Sequence, residues 1–139
     1  MKDQAAGAPA PSDEQARAQG ERAVRTDWWA WFPGMLVVCG DGRHVERLVD
    51  GGDYDFCDGA HVRGLWWPDF RDPATRGALI EQVRTAHGNE LAHAYTNGGR
   101  WFVALPESLA DCHEMHPDAD LYGHATEVEA LVAALEAAP

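Results

Sequence analysis

Nowhere in the 139 residues do about 18 apolar side chains follow one another, so no stretch is suited to cross a bilayer as a helix. Cysteine is sparse: Cys39, Cys57 and Cys112 are odd in number and far apart, unlike a secreted disulfide scaffold. Residues 1–20 lack the apolar core of a secretory leader, so the expectation is a cytoplasmic protein with reduced thiols and no membrane contact. Two catalytic signatures are missing as well. There is no Gly-x-Ser-x-Gly elbow, and Gly40-Asp41-Gly42 lacks the third glycine and following helix of a dinucleotide fingerprint. Basic residues are scarce at one end: after Arg100 there is neither lysine nor arginine.

What is there is acid. The formal charge is −12, and residues 1–26 are balanced, with four acids against four cations. The whole excess therefore falls on residues 27–139, which hold 19 acids and seven arginines. Such a body repels DNA, RNA and anionic lipid, which argues against direct nucleic-acid binding. The same charge serves as a solubility surface, attracts a basic partner, or suits an acidic inhibitor that occupies a basic nucleic-acid-binding site.

Composition divides the chain at Asp27. Residues 1–26 are rich in Ala, Gly, Pro and Gln, with Val24 the only sizeable aliphatic after Met1, and read as a flexible low-complexity tail. A frayed helix from Ser12 is the alternative for this stretch. Residues 27–139 read as a single α+β domain. Residues 35–39 (MLVVC) and 43–49 flank Gly40-Asp41-Gly42 as a first hairpin. Residues 91–96 and 100–105 flank Asn97-Gly98-Gly99 as a second. Residues 50–64 read as loop, 65–68 as an edge strand or anchoring turn, and 106–115 as a short helix.

Two helices carry clearer signals. Asp72 followed by Pro73 is an N-cap with proline at the first helical position. Leu79, Ile80, Val83 and Ala86 share one face, and Gly88 falls at the C-cap. The last helix opens on Thr126-x-x-Glu129, a capping-box pattern, with Val128, Leu131, Val132 and Leu135 on one face. The expected architecture is a small antiparallel sheet from two hairpins packed against two amphipathic helices.

Candidate chemistry concentrates in two places. Cys112, His113, His116 and His124 supply thiolate and imidazole within thirteen residues, a possible zinc set, structural or hydrolytic. The two residues between His113 and His116 do not match the H-E-x-x-H helix that aligns two ligands. Cys112 beside His113 is also the better candidate for a reactive thiol, whereas Cys39 ends an apolar run and reads as a small core residue. The loop from Asp53 fails as a calcium hand, because Cys57, Asp58 and Gly64 stand where its fifth, sixth and twelfth positions need a ligand, glycine and glutamate.

The second concentration is tryptophan, six in all, with doublets at Trp28-Trp29 and Trp66-Trp67. Successive side chains of an extended segment take opposite faces, so one of each pair is expected to face solvent and another protein. Trp28, Trp29, Trp66 and Trp67 are thus the candidate partner-binding residues.

The run Pro68-Asp69-Phe70-Arg71-Asp72-Pro73-Ala74-Thr75-Arg76-Gly77-Ala78-Leu79 resembles a P-D-[LF]-x-D-P-A-T-x-G-x-L segment of uncharacterised small proteins of prophages and other mobile elements in GC-rich bacteria. The Pro33-Gly34-Met35 entry and the closing helix from Thr126 to Glu136 are similar to theirs. The stretch 111–124 departs from that pattern. The resemblance implies an element-encoded setting and brings no activity with it. The leading expectation is a non-enzymatic accessory protein that binds another protein.

Overall fold

The computed structural model describes residues 10–39, 45–49, 66–106 and 123–139. Within them, helix α1 (Asp13–Val24) leads into strands β1 (Leu36–Cys39), β2 (Val45–Arg47) and β3 (Trp66–Pro68). Helix α2 (Pro73–His87), strands β4 (His93–Asn97) and β5 (Arg100–Ala104), and helix α3 (Glu127–Glu136) follow. The class is α+β, as the patterning implies, but the two hairpins do not share a sheet. β1 pairs antiparallel with β2 on one side and β3 on the other, while β4 and β5 form a separate ribbon. β3 is an edge strand, which suits Pro68, since proline has no N–H to donate to a further strand.

The first half of the chain corrects the expected tail. Residues 13–24 are a helix with a reciprocal cap: Ser12 Oγ accepts from Gln15 N at 3.1 Å, and Gln15 Oε1 accepts from Ser12 N at 2.9 Å. Val24 is the only sizeable aliphatic of residues 2–26. α1 instead packs through small residues, Ala16, Gly20 and Ala23, which bring its backbone against β3 and α3. A Cβ at Gly20 would lie far inside contact distance of the Pro68 carbonyl oxygen. Glycine is required there by proximity, not by an unusual backbone angle.

α2 begins and ends where its signals stand. Asp72 accepts from Thr75 N at 3.1 Å, Pro73 occupies the first turn, and Gly88 closes the helix at φ 60°. Thr126 Oγ1 caps α3 by accepting from Glu129 N at 3.1 Å. The β4–β5 turn places Gly98 and Gly99 at φ 62° and 80°, the two left-handed residues of a tight hairpin.

Two principal cores result. The larger joins α2 and α3 through Leu79, Val83, Leu131, Val132 and Leu135 with Phe70. The smaller lies on one face of the three-stranded sheet around Met35, Val37, Cys39, Leu48 and Trp66. A side chain network ties that sheet to α2. Thr75 Oγ1 accepts from Leu36 N at 2.8 Å and donates to Asp72 Oδ2 at 2.8 Å, while Arg47 forms a two-pronged pair with Asp72 at 2.9 and 3.0 Å. Arg47 holds the Asp72 carboxyl down at about 2, with Thr75 adding to the effect.

Candidate functional site

The four candidate tryptophans have different fates. Trp66 and Trp67 are 7% and 4% exposed, which overturns the expectation that one of them faces a partner. Their side chains do point to opposite faces of β3. Trp66 sits opposite Cys39 and joins the smaller core; Trp67 sits opposite Val38 and is covered by Ala16 of α1. Neighbouring rings do take opposite faces, but at β3 both faces of the sheet are covered. α1, read as a tail, supplies the second cover.

Trp28 and Trp29 lie in the turn after α1. Thr26 Oγ1 donates to the Ala23 carbonyl at 2.8 Å and stops the helix. Trp29 is half-buried between the two cores, edge-on to Trp31 at 5.2 Å and to Phe70 at 6.0 Å. Beneath this turn, Gln82 Oε1 accepts from Ala30 N at 2.7 Å. Trp29 therefore packs against both cores, a second correction to the expected contact set.

Trp28 remains. It is 42% exposed, and its indole N–H donates to the Pro139 carbonyl at 2.9 Å. It borders a surface cleft of about 400 Å³ between the last turns of α1 and α3, with Arg22, Arg25, Asp27, Leu135 and Glu136. Arg22 and Glu136 are joined by two hydrogen bonds, one of them Nε to Oε2 at 3.1 Å. Each shifts the other: Glu136 is held below the usual carboxylate range and Arg22 is raised, mainly by this hydrogen bonding. Both side chains are about two-fifths exposed, so the pair adds little stability, roughly 0–1 kcal/mol, and chiefly orients the rim.

Of the candidate zinc set, Cys112, His113 and His116 lie outside the described residues. His124 is described: its backbone exchanges two hydrogen bonds of 2.8 Å with Trp101, and it borders an apolar groove of about 180 Å³ between β5 and α3. Among the described residues no three His, Cys, Asp or Glu side chains are grouped to hold a metal. The calcium-like loop, Cys57, the loop over 50–64 and most of the short helix over 106–115 also fall outside them. Cys39 is a buried thiol, in line with the core role expected of it.

A second cleft escaped the sequence reading. It lies where α1, the segment before α2, the β4–β5 turn and the start of α3 meet, and contains Gln19, Arg71, Arg76 and Trp101. Its only local sequence signal is the Ser12–Gln15 cap, which marks α1 as a true helix. Comparison with protein-family models, curated proteins and solved structures found no match for this chain.

Proposed function

We propose that this is a non-enzymatic accessory protein that binds another protein, with Trp28 at the centre of the contact. The observation that carries the reading is an indole exposed on a cleft rim while its N–H is tied to Pro139. A ring already held in place loses little freedom on binding, and tryptophan with arginine neighbours is the composition of interaction hot spots. The α3 acids on its side, Glu129 and Glu136, which both act on Arg22, favour a partner with a basic surface. A cytoplasmic, element-encoded setting fits this reading.

The test is partner capture with the wild type and with Trp28→Ala, alongside thermal melting. Loss of at least about 30-fold in affinity with an unchanged melting temperature is expected, the effect of a central hot spot. Equal capture by the variant would overturn the reading. Salt separates it from the acidic-inhibitor alternative, which the −12 charge favours: binding that collapses as salt rises belongs to the inhibitor, since screening acts within about 8–10 Å. Native mass spectrometry of the untagged chain addresses the zinc alternative. A bare mass and a melting temperature indifferent to EDTA are expected, whereas one zinc per chain, removed together with stability, would replace this reading with a metal site.

A further inference from the structure

The second cleft lies at the opposite end of α3 from Trp28. Its volume is about 490 Å³, the size of a small-molecule site, and its lining includes Gln19, Phe70, Arg76, Trp101, Glu127 and Val128. Gln19 is only 8% exposed, and its side-chain amide has no hydrogen-bond partner among the described residues. Polar groups of a nearly buried side chain ordinarily have a partner, so an amide in the wall of a cleft is suited to whatever enters it.

Two arginines line the same space, in different states. Arg71 is fully engaged, with Asp69 at 2.8 and 2.9 Å and Asp13 at 2.7 Å. Arg76 spends Nη1 on the carbonyls of Phe70 and Arg71, at 3.1 and 2.9 Å. Its Nε and Nη2 have no acceptor among the described residues, and it pairs with no carboxylate there. The start of α3 adds two donors. Thr126 takes up the N–H groups of Glu129 and Ala130, which leaves those of Glu127 and Val128 without a partner inside the helix. The positive end of the helix dipole acts in the same direction. Glu127 stands in the lining too, so one negative charge is favoured over two. The half-buried ring of Trp101 offers a flat apolar wall.

We propose that this cleft binds a small monocarboxylate with a planar apolar body. Its carboxylate is held by Arg76, the Gln19 amide and the first N–H groups of α3, and its body lies against Trp101. The site is independent of the Trp28 surface and stands or falls without it.

The experiment is a ¹⁵N NMR titration of the full chain with sodium benzoate, against benzamide and inorganic phosphate. With benzoate at millimolar concentration, the backbone signals of Glu127 and Val128 and the side-chain signals of Gln19 should move together. Benzamide should move them far less, having the ring without the charge. Arg76→Gln should weaken benzoate at least about tenfold, the loss expected of a charged hydrogen bond. Should that variant not fold, Gln19→Leu keeps the side chain's bulk, removes the amide and should weaken benzoate about threefold or more. No response at these positions, or an equal response to benzamide, overturns the proposal. Tighter binding of phosphate than of benzoate overturns its monocarboxylate assignment.

Discussion

The chain contains two tryptophan doublets, and they end differently. Trp66-Trp67 lies in a strand, and both rings are buried; Trp28-Trp29 lies in a turn, and one ring is left at the surface. A strand sends neighbouring side chains to opposite faces, so a doublet in a strand is wholly buried only when something covers each face. Here the smaller core covers one and α1 the other. A turn imposes no such symmetry. Trp29 fills the seam between the cores, and Trp28 is directed to the cleft at the end of α1. Exposure of a tryptophan in this protein is therefore decided by what is layered behind it.

Four substitutions or conditions break or sharpen that contrast. The largest effect is expected for Trp67→Ala, which empties the space under α1 and should cost about 3–5 kcal/mol in chemical denaturation. A loss no greater than that of Trp28→Ala would mean that α1 does not cover the sheet. Next comes Gly20→Ala, whose methyl meets the Pro68 carbonyl oxygen. The substitution favours helix by about 1 kcal/mol in isolation, yet a net loss of about 1–3 kcal/mol is expected, because a backbone atom must move. A stabilised variant would show that α1 stands further from β3.

Third is acid. Asp72 has its pKa lowered from 3.8 to about 2 in the fold, so its contribution is complete above pH 3.8 and is lost as the pH falls towards 2. Because Arg47 is half exposed, this is worth about 1–2 kcal/mol and not the full shift. Asp72→Asn keeps a capping oxygen and should flatten the acid limb of a stability–pH curve over that window. An unchanged limb would mean that the Arg47–Asp72 pair does not make the fold acid-sensitive in that window. The smallest effect is Trp28→Ala, which should change stability by less than about 1 kcal/mol while carrying the binding defect.

Much of the local structure was legible. Asp72-Pro73, Gly88, Thr126 and Gly98-Gly99 each act within a few residues of themselves, so their signals survive without knowledge of the fold. The run 68–79 is explained in the same terms. Pro68 ends an edge strand, Asp69 holds Arg71, Phe70 fills the core, and Asp72 and Thr75 fasten α2 to β1 and β2. Its residues are those of a structural joint. The Trp28 site was half legible, as an aromatic cluster whose members could not be ranked.

Three things lay beyond the sequence. α1 was misread because its buried face is made of Ala16, Gly20 and Ala23, which give little hydrophobic signal yet permit close approach. The separation of the two hairpins into different sheets depends on distant partners: β3 takes the second side of β1, while β4 and β5 pack against α3. The cleft of Gln19, Arg76 and Trp101 joins residues from α1, α2 and β5, and none of them is unusual alone. The sequence by itself determined the caps and turns, the helices α2 and α3 and the two hairpins, because these follow from backbone preferences and hydrogen bonds within a few residues. Only the tertiary structure decided which of the doublet tryptophans is exposed and which carboxylate, if any, each described arginine meets, because burial and pairing are properties of neighbours brought from elsewhere in the chain.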